Sequence, residues 1–344
     1  MNDNNNTLRN IFQGKPSERP GIWYMRQAGR TLPSYLEIRE EYSFAQMMET
    51  PELAAKITLL PVRDLGVDGS ILFSDILVIP EALGMDLVWT DKGPKFTDPL
   101  HNYDKPSEKL IPDSDKLNHV YKAIDEYHNQ NDVDAPLIGF CGAPLTTLCY
   151  MVQGLSSNQN FPEAVDLIYK NRKEAEAILE KITELSIIYA KNQIKHGIEA
   201  FQLFDTHAGL IPSDLYFELI MPYVDRISKA VREEGIPFIF LPKGIGSAIS
   251  RFTPEHADFI SIDWQTSLFD AHKLVHPDLG IQGNIDPRMI FADKKVIEKE
   301  LVRLSEFWKL RKKWIFNLGH GFLPKTPFEN AKFMTDWLKN HDWK

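Results

Sequence analysis

Short apolar runs alternate with helical patterns about eight times along this chain, and that alternation limits its fold more than any other feature. The runs lie at 22–24, 69–73, 137–140, 200–203, 238–241, 259–262, 280–282 and 315–317. Several of the helical stretches between them have readable ends. One takes Thr50 as N-cap and Pro51 as first helical residue, and stops at Gly66. Another spans 163–196 in one or two pieces and ends at Gly197. Ser213 opens a helical region that Pro222 kinks or breaks and Gly235 ends. The last covers 327–340. Strand–helix alternation of this kind predicts an α/β chain folded as a single (β/α)8 TIM barrel. A doubly wound sheet is the competing architecture, but no G-x-G-x-x-G follows the first strand. The expectation is one domain over 1–344 with a short polar extension at about 1–15. The stretch 101–116, charged and Pro-containing, reads as a surface loop rather than a linker.

Composition removes several function classes. Only two cysteines, Cys141 and Cys149, are present, which suits a reducing compartment and supplies no disulfide framework. The N-terminal residues 1–9 are polar and Asn-rich, unlike a secretory signal. The longest apolar region, 71–87, is interrupted by Asp75, Pro80 and Glu81, so no membrane span is expected. These features together predict a cytoplasmic protein. A net charge of −9 argues against nucleic acid as a partner and requires a locally basic pocket for any anionic substrate.

Active sites of such barrels sit at the C-terminal ends of the strands. Following the runs in order, those ends carry Arg26 to Arg30, then Ser74 and Asp75, then Cys141-Gly142-Ala143-Pro144. They continue with Asp205-Thr206-His207, Lys243, Asp263-Trp264, Asn284-Ile285-Asp286-Pro287 and Gly319-His320-Gly321. Arg26 and Arg30 place two permanent cations close together, and guanidinium forks match carboxylates; the plainer reading pairs them with Glu37 or Glu40. Asp75 follows a strongly apolar strand and is either a functional carboxylate or half of a buried ion pair with Arg63. Tyr150 is either a site hydroxyl or a packed tyrosine, and His320 either a ligand contact between two permissive glycines or a structural histidine. No nucleophile elbow accompanies Thr206 and His207. The two cysteines lack the spacing of a zinc site.

Taken together, six segments resemble the uroporphyrinogen decarboxylase family. They are Met25-Arg26-Gln27-Ala28-Gly29-Arg30 with Leu32-Pro33, Phe73-Ser74-Asp75-Ile76-Leu77, and Gly139-Phe140-Cys141-Gly142-Ala143-Pro144. The others are Gln202 to Gly209, Gln282-Gly283-Asn284-Ile285-Asp286-Pro287 and Asn317-Leu318-Gly319-His320-Gly321. The resemblance implies loss of carbon dioxide from the four acetate arms of uroporphyrinogen III, giving coproporphyrinogen III, with no metal or organic cofactor. It implies catalytic roles for Asp75, Arg26, Tyr150 and His320. Substrate binding would fall to Arg26, Gln27, Ala28, Gly29, Arg30, Asp75, Tyr150, Thr206 and His320. The implied partner is a small anionic tetrapyrrole, and the implied assembly is a homodimer. Departures from the family pattern are Leu145, Thr206 in place of serine, and the eroded tract 154–157. Two other functions compete: a related barrel methyltransferase using zinc on corrinoid or thiol substrates, and a non-catalytic tetrapyrrole-binding relative.

Overall fold

The computed structural model describes residues 6–90, 93–154 and 160–344. All eight apolar runs form strands in it. They are β1 Gly21–Ile22, β2 Ser70–Ile71, β5 Leu137–Gly142, β6 Ala200–Asp205, β7 Phe238–Pro242, β8 Phe259–Ser261, β9 Gly280–Gln282 and β10 Trp314–Phe316. They pair in parallel in the order β1-β10-β9-β8-β7-β6-β5-β2. Asp68 closes the ring between β2 and β1. Its N–H donates to Ile22 O at 2.8 Å, and its carboxylate accepts from Ile22 N–H at 2.8 Å and from Arg19. The architecture is a TIM barrel, as the alternation predicted.

Register carries the core around the ring. Cys141 lies beside Leu203, Leu203 beside Phe240, Phe240 beside Ile260, Ile260 beside Ile281 and Ile281 beside Trp314. Each of these side chains is buried. Residues from strands that are not neighbours also meet. Gln282 donates to Gln202 at 2.9 Å and accepts from the Trp23 indole at 3.0 Å, besides donating to its ladder neighbour Ser261 at 2.5 Å. Contacts spanning β6, β9 and the end of β1 are possible only across the lumen. The barrel centre is thus a satisfied polar network inside an apolar wall, as burial of amides demands.

The helices follow their end signals. Pro51–Asp64 has Thr50 as N-cap, and the 163–196 region divides into Pro162–Lys170 and Arg172–Lys195. After Ser213–Leu215 the chain widens into a π turn at Tyr216–Ile220 before Met221–Arg232. Pro222, which lacks an N–H, sits just past that widening. The last helix is Phe328–Asn340. No described helix is long and apolar enough to cross a membrane.

Two features were not read from the sequence. An antiparallel hairpin, β3 Leu87–Thr90 and β4 Gly93–Phe96, sits outside the barrel, with the Trp89 ring tilted against Phe44, 4.4 Å between centroids. The second lies within the expected polar extension, where a helix, Thr7–Phe12, buries Leu8, Ile11 and Phe12 against the N-terminal ends of the strands. Gly21 and Gly69 make room for it: a Cβ on either would lie within 2.7 Å of the Leu8 side chain. Arg9 ties the helix to Asp134 at 2.9 Å and to Glu199 at 2.6 Å, just ahead of β5 and β6.

Candidate active site

The opposite, C-terminal end of the barrel gathers the residues that the sequence singled out. The loop after β1 presents Arg26. Its backbone takes φ 61°, a region that non-glycine residues enter at a cost of order 1–3 kcal/mol. Neighbouring bonds hold it there. Met25 N–H donates to Asn317 Oδ1 at 3.0 Å, and Met25 O accepts from Phe322 N–H at 3.0 Å. The shaft of Arg26 lies over Gly321, where a Cβ would come within 2.4 Å of its Cδ. Gln27 turns inward and is fully buried. It accepts from Tyr24 N–H at 2.9 Å and donates to Gly69 O at 2.9 Å, pinning the loop to the start of β2. Ala28 and Gly29 are half-buried, and Gly29 O accepts from Leu32 N–H at 3.0 Å. Arg26 and Arg30 are exposed, and among the described residues neither forms a hydrogen bond or ion pair, so pairing with Glu37 or Glu40 is not seen.

Asp75, half-buried beyond β2, makes no ion pair with Arg63. That arginine is paired with Asp132 at 2.7 Å on the outside. Burial pushes the Asp75 carboxyl up, while the hydrogen bond from Leu77 N–H (2.8 Å) and the Arg26 charge pull it down. Asp75 in turn adds to the burial that drives Glu81 up to about 7.

Tyr150 comes from the helix Pro144–Gln153, which ends at Gly154. Its ring packs edge-on against Phe161 at 5.4 Å and His207 at 5.6 Å, and burial raises its hydroxyl so that it stays a neutral donor. Leu145, in the same helix, is fully buried and so does not face the cleft; of the tract 154–157, residues 155–157 lie outside the described residues. Thr206 and His207 are half-buried at the end of β6. Asp205, just before them, is wholly buried and accepts from Thr146 Oγ1 and Tyr216 OH, both at 2.6 Å. Burial raises its carboxyl to about 6 against those two bonds. Thr146 Oγ1 also accepts from His207 N–H at 3.1 Å, so the Asp205 network anchors the Thr206 loop.

His320 stacks flat on Trp264, 6.2 Å between centroids with an interplanar angle of 8°. Burial, and then the charges of Arg26 and Lys243, lower it to about 3, so the imidazole is neutral. His207 is lowered to about 4 by burial and Lys243, and its Nε2 has no hydrogen-bond partner among the described residues. Lys243 and Trp264 stood at strand ends in the sequence with no role assigned; nothing local to their sequence marks them. A separate surface crevice, lined by Lys229, Arg232 and Asp258, lies at the other end of β7 and β8. Its cations are already paired, Lys229 with Glu233 and Arg232 with Asp258, unlike Arg26 and Arg30.

The arrangement can hold a carboxylated molecule: the half-buried Asp75 carboxylate, two exposed guanidinium groups without ion-pair partners among the described residues, and neutral hydroxyl and imidazole donors. Zinc chemistry finds less support in the donor set. Cys141 and Cys149 are both buried, and burial drives both thiols up, Cys141 to about 12, whereas a zinc ligand must be a thiolate.

Comparison with known proteins agrees with the geometry. The fold is similar to a methyltransferase from Methanosarcina mazei, with a TM-score of 0.79 at 18% identity over 97% of each chain. It is also similar to a B12-independent methionine synthase from Shewanella sp., with a TM-score of 0.57 at 12% identity over 84% of this chain and 87% of that one. At such identities only the barrel is shared. In sequence, the chain is 38% identical over 333 residues to a uroporphyrinogen decarboxylase from Trichlorobacter lovleyi, covering 96% of this chain and 97% of the relative. It is 37% identical over 341 residues to one from Christiangramia forsetii, covering 98% of each. The family model for uroporphyrinogen decarboxylase matches residues 3–341, and the chain belongs to that family of carboxy-lyases.

Proposed function

We propose that the cleft decarboxylates the acetate arms of uroporphyrinogen III to methyl groups, giving coproporphyrinogen III, with Asp75 as its central group. The observation that carries this is a carboxylate in the cleft, with a single backbone hydrogen bond, opposed by the unpaired Arg26. Loss of carbon dioxide from an acetate arm leaves an electron pair that needs a sink. Protonation of the adjacent pyrrole supplies one, because the ring becomes a cation. The bond to the carboxylate then breaks, its electrons neutralise the ring, and a second proton completes the methyl group as the ring returns its own. In sum, one carboxylate and one proton become a methyl group and carbon dioxide.

Asp75 would accept hydrogen bonds from pyrrole N–H groups and stabilise the ring cation in a cleft poor in water. Arg26 and Arg30 would hold carboxylate arms. A guanidinium, a permanent cation with a planar fork of donors, clamps a carboxylate rather than giving up a proton. Tyr150, Thr206 and neutral His320 would supply hydrogen bonds to the remaining polar atoms. Since Gln27 is committed inward, only its backbone, with that of Ala28 and Gly29, is left to face substrate. We further infer that one barrel domain carries the whole site, and that the chain acts as a cytoplasmic homodimer, a reading that rests on the family resemblance and that sedimentation tests. Incubation with enzymatically made uroporphyrinogen III, followed by oxidation and separation of porphyrins by carboxyl count, should show stepwise products ending in coproporphyrin. Unchanged substrate with folded protein would overturn the reading.

A further inference from the structure

We propose that Lys243 is a further substrate-binding residue, taking a carboxylate arm on the side of the barrel mouth away from Arg26. The inference rests on the decarboxylase reading of the cleft and deepens it.

Topology sets the placement. In the ring β1-β10-β9-β8-β7-β6-β5-β2, β7 stands four positions from β1 in either direction. Lys243, at the end of β7, therefore faces the arginine loop across the mouth. His320 feels the charge of both cations, and His207 that of Lys243.

The mount is rigid. Lys243 N–H donates to Asp205 O at 3.0 Å, Lys243 O accepts from Gly209 N–H at 3.0 Å, and the next N–H, of Gly244, donates to Asp263 Oδ2 at 2.7 Å. The loops after β6 and β7 touch backbone to backbone: a Cβ on Gly209 would lie 2.4 Å from Gly244 O. The half-buried side chain runs over Trp264, with Nζ 5.5 Å from the ring centroid. A lysine resting on an indole is ordinarily explained by its apolar stem. Here the charge is also left without a counter-ion. Among the described residues no carboxylate pairs with Lys243, and the acids nearest in the fold are occupied. Asp263 accepts from Gly244 and Gln265, and Asp205 from Thr146 and Tyr216. A half-buried cation with no carboxylate partner among the described residues keeps its donors free for an arriving anion. In a chain of net charge −9, such a concentration of positive charge marks where a polyanion settles.

The test compares Lys243→Met, which keeps the stem over Trp264, with Lys243→Arg, which keeps the charge. Two readouts are needed: steady-state turnover of uroporphyrinogen III, and equilibrium binding of coproporphyrin III followed by quenching of tryptophan fluorescence. A lost charge-assisted hydrogen bond corresponds to a change of about tenfold to a hundredfold. Lys243→Met should raise KM and the porphyrin dissociation constant by at least about tenfold, with a smaller effect on kcat, and Lys243→Arg should restore most of both. Wild-type turnover together with binding indifferent to Lys243→Met would overturn the assignment and leave the decarboxylase reading standing. A fall in kcat with unchanged KM would likewise overturn it. Lys243-dependent binding without any wild-type turnover would support the subsite and sink the decarboxylase reading. Absence of both would overturn both.

Discussion

On the proposed reading, the chemistry rests chiefly on one side chain, Asp75. Its surroundings raise the carboxyl, chiefly by burial, against the opposing pull of Leu77 N–H and Arg26, so a charge on it is poorly solvated. Asp75→Asn keeps the shape and removes the charge that would face a pyrrole cation. Loss of one preorganised electrostatic group commonly costs about 10²–10³ in rate. A folded Asp75→Asn protein is expected to show that loss in kcat on uroporphyrinogen; near-normal turnover would dismiss its central role. Burial has a different kind of effect at Asp205. Its folded carboxyl, near 6, lies above the unfolded value of 3.8, so its contribution to stability is full below 3.8 and is lost as pH rises through 6. Removing a donor raises that carboxyl further and steepens the loss. Tyr216→Phe deletes the 2.6 Å bond to Asp205 Oδ2, at a cost of about 1–3 kcal/mol once the carboxylate is ionised. Denaturant unfolding is expected to show a larger penalty at pH 8 than at pH 5. An equal penalty at both would mean that the ionised carboxylate draws nothing extra from the tyrosine.

Among elements, the loop after β10 does two jobs with two glycines that the sequence cannot tell apart. A Cβ on Gly321 would meet the shaft of Arg26, a flexible side chain able to move aside, with Cδ at 2.4 Å. A Cβ on Gly319 would meet backbone, Trp264 N at 2.2 Å, which cannot. Gly321→Ala is therefore expected to leave the melting temperature nearly unchanged while displacing Arg26 and lowering kcat/KM by tenfold or more. Gly319→Ala is expected to destabilise the fold by about 1–3 kcal/mol, as overpacking does. Differential scanning calorimetry beside kinetics separates the two, and equal loss of stability in both variants would refute the distinction. The contrast also shows what was legible beforehand. Strand runs such as 137–140 and 238–241 are local signals, and helix ends marked by Thr50 and Gly66 or interrupted by Pro222 are local as well, so each appears nearly where its residues announce it. The β3–β4 hairpin was missed because its exposed Val88 and half-buried Trp89 carry a weak apolar pattern that only packing on Phe44 stabilises. The family resemblance places Gln27 among the substrate-binding residues, but says nothing of where its side chain turns. Its inward turn depends on Gly69 O, forty-two residues away. The missing partner of Lys243 is likewise a fact of three-dimensional placement.

Across the whole molecule, the proposed site lies at the C-terminal end of the barrel, where such barrels carry their chemistry, and the opposite end is left to support. The helix Thr7–Phe12 belongs to the support end. Leu8 is fully buried and fills the space left by Gly21 and Gly69, at the entrances of the strands whose continuations lead to Arg26 and Asp75. Arg9 secures the helix to Asp134 and Glu199 with hydrogen bonds of 2.6–3.1 Å. The polar look of these first residues arises because a short helix needs only one face to be apolar, and that face is Leu8, Ile11 and Phe12. Leu8→Ala removes a packed side chain and leaves a cavity that two glycine backbones cannot collapse to fill. Such losses cost about 2–5 kcal/mol. The cost should appear as a lower denaturation midpoint with an unchanged slope, since the unfolded chain exposes nearly the same surface. The cleft is at the other end of the barrel, so KM and kcat of the folded variant, measured well below its melting temperature, are expected to stay within about twofold of the parent, as additivity between distant sites implies. A Leu8→Ala protein that unfolds at the parent midpoint would show that the helix is an appendage. One that keeps its midpoint but loses turnover would show that the two ends of the barrel are coupled through β1 and β2.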